Sequence, residues 1–508
     1  MNAIELAIFA NRINNVCEEM GAVLRRAAFS PNIKDRLDYS CALFDQQGRI
    51  IAQAAHIPVH LGSMAFAMRD LVEAVQWQAG DMVVVNDPYL GGTHLPDVTL
   101  IAPVFSGSQL QGFVANRAHH VNIGATSPGS MPISSRLEDE GIVIAPSLLV
   151  RKGTLDQRLL SQLSDDRPVA RGDFLAQLSA NGVGAQRFEQ LVSELSEVGF
   201  NDAVAGLHNY GNRLAQAELA KLPSGQYQFS DCMDDDGQGN TDVALQVCLT
   251  ISEQGILADF TGTADQVAGN INCPLSVAAA AVFYCFRCLL PSYTPACAGV
   301  FDVIKLAAPE GCLVNAQRPA AVAAGNVETS MRLVDLVLGA LAQALPEAIP
   351  AAAQGTMNNI AMGADGDQPW DYYETIAGGT GGHAQAAGLH CVQSHMTNTL
   401  NTPIESLESH FPLRIRRYQQ RLGSGGQGLH PGGDGLIREF EFLAPAQVTL
   451  LTERRRHQPW GLAGGGPGRY GENSLNGEPI GAKQQLSVQA GDRIVVATPG
   501  GGGWGTRE

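Results

Sequence analysis

Charge is scarce in this 508-residue chain, where Asp, Glu, Lys and Arg together make up 16%. Positive charge is scarcest: 33 Lys and Arg stand against 50 Asp and Glu, for a formal net charge of −17. That balance excludes the electrostatic footprint of a nucleic-acid binder and of a protein docked on anionic lipid. No apolar run is long and clean enough to span a bilayer. Residues 276–290 are few and include Arg287, and residues 333–353 include Asp335, Glu347 and two prolines. The opening MNAIELAIFANRINNVCEEM carries Glu5 early and no basic segment ahead of its apolar residues, unlike a signal peptide. These absences predict a soluble cytoplasmic protein. A phosphate-binding loop of the G-x-x-x-x-G-K-[ST] type is missing as well. The glycine runs GSGGQGLHPGGDG (423–435), AGGGPG (463–468) and TPGGGGWG (498–505) have neither the Lys nor the helix that follows it. They read as turns packed close to other backbone, or as a lid over a substrate. Of ten cysteines only Cys285 and Cys288 have C-x-x-C spacing, inside an apolar run and without a second pair. Buried structural thiols on a helix fit that context better than a zinc or redox centre.

What is present is apolar and glycine-rich: 45% hydrophobic residues and 57 Gly. That suffices for a large core, as two to four domains or one multilayered body, with much of the chain in turns and close-packed loops. Apolar residues at Phe9, Ile13, Val16, Met20, Val23 and Ala27 predict a helix over 3–28, ended by Pro31. Strand-like segments at 39–44 and 49–53 flank Asp45-Gln46-Gln47-Gly48 and predict a hairpin. A second amphipathic helix is expected over about 62–75, with Met64, Met68, Leu71 and Val75 on one face. Residues 184–220 are helical in period, with weak points at Gly199 and Gly206. Short alternating strands fill 225–263, and helices return at 275–290 and 327–344. The expected class is α+β, a large multilayered body of mixed and antiparallel sheets with helices. Its regions are 1–220, 221–345 and a Gly-rich, β-containing 346–508.

Chemistry concentrates in NDPYLGGTHLPDV (86–98), between the apolar runs 82–85 and 98–101. The strand at 98–104 turns at Ser106-Gly107-Ser108 and returns over 110–116 into Arg117-Ala118-His119-His120. Paired residues that sum to about 215 place Asp97 opposite Ala118 and His119 opposite Pro96. One hairpin thus brings His119 and His120 beside His94 and Asp97, with opposed Cβ atoms roughly 4.5–5.5 Å apart. Imidazoles with a carboxylate suit Zn, Mn or Fe(II) better than Ca. Strand alternation allows at most one of His119 and His120 as a ligand, leaving the other as an acid–base group or supporting partner. Asp38, ahead of the first strand, is a candidate further donor. His56 and His60 are further candidate ligands, and read rather as lining residues or as packing at a helix start. The alternative is that His94 and His119 are hydrogen-bonded loop residues and Asp97 caps a turn.

NDPYLGGTHLPDV, RAHHVNIGATSPGSMP, Glu140-Gly141-Ile142, Ala324-Gly325-Asn326-Val327-Glu328-Thr329 and Pro459-Trp460-Gly461-Leu462 together resemble the hydantoinase B/oxoprolinase family across nearly the whole chain. The chain departs from that family at Asn122 and Gly124-Ala125, where an Asp and a Gly pair are common. The resemblance implies a divalent transition metal (Zn, Mn or Fe) held by Asp38, His94, Asp97 and His119. It implies an ATP-dependent hydrolase of cyclic amides such as hydantoins, 5-oxoproline or lactams. The resemblance also implies a partner, an ATP-binding A-type subunit of actin-like fold that holds ATP with Mg, in a heterotetramer or larger assembly. With no nucleotide loop of its own, this chain would receive an amide activated by phosphorylation and supply water acidified toward a pKa of ~7 by the metal. His120 would shuttle a proton. Two basic clusters, Arg414 to Arg417 and Arg454 to Arg456, read as solvated or salt-bridged. The second precedes His457-Gln458-Pro459-Trp460-Gly461, which makes Arg456 a candidate anion or substrate contact. A metal-bearing subunit of an ATP-dependent ketone carboxylase is the alternative function, and a scaffold with structural ligands the non-enzymatic one.

Overall fold

The computed structural model describes residues 1–55, 57–60, 62–366 and 369–507. Helix α1 (Ala3–Ala27) starts at a capping box between Asn2 and Glu5 and ends with Arg25 and Arg26, whose charge suits the negative end of the helix. Phe9, Ile13, Val16, Met20 and Leu24 form its buried stripe, whereas Ala27 is exposed. Pro31 opens a short helix, α2 (Pro31–Lys34), at a position where its missing N–H costs nothing. The chain continues through β1 (Tyr39–Phe44), β2 (Ile50–Ala55), α3 (Ser63–Ala74), β3 (Met82–Val85), β4 (Asp97–Ser106), β5 (Gln109–His119), β6 (Ser147–Arg151) and β7 (Thr154–Leu155). These strands form one antiparallel sheet in the order β2-β1-β5-β4-β3-β6-β7.

The register of β4 with β5 differs from the expectation by one residue. Near the turn Phe105 faces Leu110, which sums to 215, but Val104 faces Gly112. Gln111 is therefore an extra residue in β5, a bulge. From there to the sheet end pairs sum to 216, so Asp97 faces His119 directly and Val98 faces Ala118.

Behind this sheet lie α4 (Gln157–Ser164), α5 (Pro168–Leu195) and α6 (Glu197–Leu219). The expected helix over 184–220 is two helices, and the first begins well before 184. Its early turns bury Asp173, Gln177 and Asn181, polar residues that mask the apolar period. Each has a structural partner. Asp173 Oδ1 accepts from Phe29 N at 2.8 Å. Gln177 Nε2 donates to Val98 O at 2.9 Å, and Asn181 Nδ2 donates to Leu100 O at 3.0 Å. Asn116 donates to Gln177 O at 2.9 Å and to Asn181 Oδ1 at 2.8 Å. These amides clamp α5 onto the β4–β5 hairpin. The break falls at Ser196 (φ 62°), whose hydroxyl caps Gly199 N, rather than at Gly199 or Gly206.

The next stretch holds β8 (Gly225–Asp235), β9 (Thr241–Ser252), β10 (Gly255–Asp259), α7 (Leu275–Leu289), β11 (Ile304–Ala307) and α8 (Ser330–Ala344). Its sheet is β11-β10-β9-β8, with β10 and β11 parallel. On α7, Cys285 is buried and Cys288 exposed. A π-helical turn, Gly325–Thr329, precedes α8, so regular α-helix begins later than 327. The last stretch comprises β12 (Asn359–Ala364), β13 (Trp370–Glu374), α9 (Ile404–His410), β14 (Leu413–Gln420), β15 (Leu436–Phe442), β16 (Ala446–Leu451), β17 (Glu472–Leu475), β18 (Glu478–Pro479), β19 (Lys483–Val488) and β20 (Arg493–Ala497). They make two antiparallel sheets, β13-β12-β16-β19 and β14-β15-β20-β17-β18. The glycine runs pack backbone on backbone. Gly426 N donates to Gly501 O at 2.8 Å, Gly501 N to Gly433 O at 2.9 Å, and Gly503 N to Gly466 O at 2.9 Å. A Cβ on Gly432 would sit 2.0 Å from Gly501 O. The molecule is α+β, with mainly antiparallel sheets. Its largest core joins Phe9, Val114, Leu245, Val334 and Leu451 in one cluster.

Candidate metal centre

The β4–β5 sheet end carries the cluster. Asp97 is 1% exposed, His94 0% and His119 3%. The Thr93 hydroxyl donates to Asp97 Oδ2, and Asn326 Nδ2 lies 3.5 Å from the same oxygen. Two imidazoles face that oxygen as well: His94 Nε2 at 3.5 Å and His60 Nε2 at 3.4 Å. His60 comes from the turn Pro58–His60, and its Nδ1 contacts Ser40 Oγ at 2.9 Å. His56 lies outside the described residues.

Backbone and neighbouring side chains orient each donor. His94 Nδ1 donates to Ala323 O at 3.2 Å, which fixes the tautomer with a lone pair on Nε2. Ala323 is held in turn by Glu140, whose Oε1 accepts from Val322 N and Ala323 N, both at 2.9 Å, and from the Ser134 hydroxyl. The His119 ring stacks on Tyr373 at 4.9 Å and meets His94 edge-on at 5.1 Å. Asn32 Nδ2 lies 3.1 Å from His119 Nδ1. An Asn32 amide turned to present its oxygen puts the proton on Nδ1 and frees the Nε2 lone pair. That turn costs Asn32 its bond from Arg36 Nη1, which keeps its other bond to Tyr373 O at 3.0 Å. Asp38 lines the same cavity, with Arg36 Nη2 at 3.8 Å from its carboxylate.

Burial works against every charge here, and partners decide the outcome. It pushes the Asp38 carboxyl up, Arg36 opposing only in part. Burial alone would raise Asp97 too, but His94 and His60 hold it well below the carboxylate range. Burial would lower His94, but Asp97 outweighs it and raises the pKa. His119 is driven well down by burial and by His94, so it stays neutral. A neutral imidazole beside a buried carboxylate and a carboxylate-bound imidazole suits a cation.

The donors also fit one by their unmet needs. His94 Nε2, His119 Nε2, Asp97 Oδ1 and Asn326 Oδ1 are buried without hydrogen-bond partners among the described residues. Orphaned atoms of this kind at one site call for a ligand. They stand wider apart than a closed coordination shell. Among the described residues, the group whose donor atoms all lie within 4.8 Å of one another is elsewhere: Cys232, Asp242 and His457. Beside the cluster is a cavity of about 20 Å³, room for about one water, lined by Asp38, His60, Asp97, His119, Asn326, Tyr373 and the apolar Ile57, Val59, Val327, Met357 and Met396.

Two expected residues stand apart. Alternation turns His120 to the other face of β5, where it packs on Phe174 and contacts Gln177 Oε1 at 2.9 Å. It lines a separate cleft with Lys34, Asp35, Arg167 and Asp173, and burial lowers its pKa. Arg456 is outside the cavity lining, and its guanidinium pairs with Asp242 at 3.3 Å. Arg454 is likewise spent on Asp231 and Asp335, and Arg414, Arg416 and Arg417 on Glu439 and Glu441. Thr93 and Asn326 sit in motifs visible in the sequence, and Glu140 opens one. Asn32 and Tyr373 gave no sequence signal.

Comparison with known proteins accords with this architecture. The Hydantoinase B/oxoprolinase family matches residues 2–507. An uncharacterised protein of Methanocaldococcus jannaschii is 36% identical over 521 residues, which cover 100% of this chain and 91% of that one. 5-Oxoprolinase 1 of Arabidopsis thaliana is 37% identical across 99% of this chain, which spans only 42% of that protein. A putative B-type subunit of a D-/L-hydantoinase from a Pseudomonas species is 30% identical, with 99% and 90% covered. Among solved structures, the ATP-dependent caprolactamase of Pseudomonas jessenii superposes with a TM-score of 0.93 at 26% identity, covering 100% of this chain and 91% of that one.

Proposed function

This chain belongs to the hydantoinase B/oxoprolinase family, and we propose that it is the metal-bearing subunit of an ATP-dependent cyclic amide hydrolase. The carrying observation is the set of buried, unpartnered donors on His94, Asp97 and His119 beside a small cavity. With Asp38 they would hold one divalent transition metal, Zn, Mn or Fe. That ion supplies Lewis acidity and water acidified to react at neutral pH. The chain's own groups do the rest. Thr93 and the Glu140-held Ala323 peptide orient two donors before any ion arrives, which leaves the ion to draw the shell together. The apolar wall of Ile57, Val59, Val327, Met357 and Met396 excludes bulk water. Asn326 Oδ1 and the hydroxyls of Thr375, Thr397 and Thr399 offer polar anchors for the amide or its activated form. His120, neutral and on the opposite strand face, exchanges protons with the adjoining cleft.

The ATP-binding role falls to a second subunit of actin-like fold that activates the amide by phosphorylation, in a heterotetramer or larger assembly. The Pseudomonas relative, named as one subunit of a hydantoinase, and the 42% span of the Arabidopsis 5-oxoprolinase support a division of labour of this kind. The test is reconstitution. Purified chain, the cognate ATP-binding subunit, ATP and Mg are assayed with hydantoin, 5-oxoproline and a lactam for ring opening and ADP release. Ring opening strictly coupled to ATP is expected. ATP turnover that instead requires bicarbonate and a ketone would move the chain to the carboxylases and defeat this reading.

A further inference from the structure

A second group of donors lies outside the cavity and outside the family motifs that describe it. Cys232 is on β8, Asp242 on β9, and His457 in the segment after β16. Their Sγ, carboxylate and imidazole atoms all lie within 4.8 Å of one another. We propose that Cys232, Asp242 and His457 form a second, structural metal site for a borderline-soft divalent ion, zinc being the natural occupant.

The scaffold is set for it. Asp234, two residues along β8 from Cys232, is fully buried. Its carboxylate accepts from three successive backbone N–H groups, those of Arg455 at 2.5 Å, Arg456 at 3.0 Å and His457 at 3.4 Å. That grip ties the His457 segment to the strand that carries Cys232. Asp242 adopts φ 56°, a left-handed conformation that a non-glycine residue rarely takes, at the opening of β9. Its Oδ1 meets His457 Nε2 at 2.6 Å, and its Oδ2 is steadied by Arg456 at 3.3 Å. His457 and Asp242 are a third to a half exposed, so an ion can reach them. Sulfur, nitrogen and oxygen donors together select zinc over calcium or magnesium. Bonds of ~2.0–2.3 Å in a tetrahedron set donors roughly 3.3–3.8 Å apart, so the Asp242–His457 bond opens by about 1 Å and a solvent water takes the fourth place. Bound there, the ion would tie the central sheet to the C-terminal stretch.

Cobalt(II) is the probe, because thiolate ligation produces a charge-transfer absorption that nitrogen and oxygen ligands do not. The whole purified chain is titrated with Co(II) alone. The expected result is a thiolate–cobalt band that saturates within two equivalents in the parent chain, one for each site, and at one equivalent in His94→Ala, and that disappears in Cys232→Ser. The exposed Asp242→Asn variant, which leaves the core untouched, should weaken the band's affinity at least tenfold. No band in the parent chain, or a band unchanged in Cys232→Ser or in Asp242→Asn, overturns the proposal.

Discussion

Asp97 concentrates the site's electrostatics in one residue. It is held as a carboxylate by two imidazoles and a hydroxyl, with one oxygen left over. Truncating it or His94 removes a donor of the proposed metal site. His94→Ala and Asp97→Ala are each expected to lose bound transition metal by elemental analysis while the folded protein remains; full occupancy in both would remove the assignment. Glu140 acts one step back. Its oxygen fixes the Ala323 peptide that orients His94. Glu140→Gln keeps the shape and disturbs the bonding, so metal affinity should fall ~10–100-fold, as for other groups that orient ligands. Unchanged affinity in a metal titration would make Glu140 purely structural. Glu328 governs pH. Burial pushes it from 4.5 up to about 8, while its Oε1 accepts from Met357 N and Asn359. The folded chain then keeps a proton that the unfolded chain has released, so this contribution to stability is complete below pH about 4.5 and is lost as pH rises through about 8. Glu328→Gln should therefore show a flatter decline in melting temperature between pH of about 5 and about 8 than the parent, and parallel profiles would contradict it. At this scale the sequence revealed donors by type and spacing. It named His60 as a lining residue, which it is, and hid Asn32 and Tyr373, because their meeting with the hairpin depends on chain folded from far away.

Elements show why some of the fold was readable. Helix α1 follows an apolar period of about 3.6, and the β4–β5 hairpin follows two apolar runs on either side of a Ser-Gly-Ser turn. The start of α5 broke that rule because Asp173, Gln177 and Asn181 lie on its buried face and bond backbone instead of apolar neighbours. The bulge at Gln111 was equally invisible, since an extra residue leaves no mark on alternation beyond a shift of one. Yet that shift is what sets His119 opposite Asp97. The α5 clamp can be tested directly. Gln177→Leu strands Val98 O, and the loss of a buried bond to a polar group costs about 1–3 kcal/mol. A clear fall in denaturation midpoint is expected, and none would mean that the amides are replaceable.

The whole molecule is knit by one large core that runs from α1 through α8 to β16. One sheet lies within residues 39–155, one within 225–307 and two within 359–497, and all three stretches contribute apolar residues to that core. The glycine runs read from the sequence as turns packed close to other backbone, and that is how they pack. Where Gly426, Gly433, Gly466, Gly501 and Gly503 interleave, the packing units are peptide groups themselves. Such a region has nothing to trade during evolution. A cavity in a leucine core can be refilled by a neighbour's larger side chain, but a methyl added at Gly432 faces a carbonyl oxygen that no neighbouring substitution moves. The same feature makes these loops slow clocks in deuterium oxide: their amides, though outside any strand, should resist exchange as stubbornly as those of the central sheets.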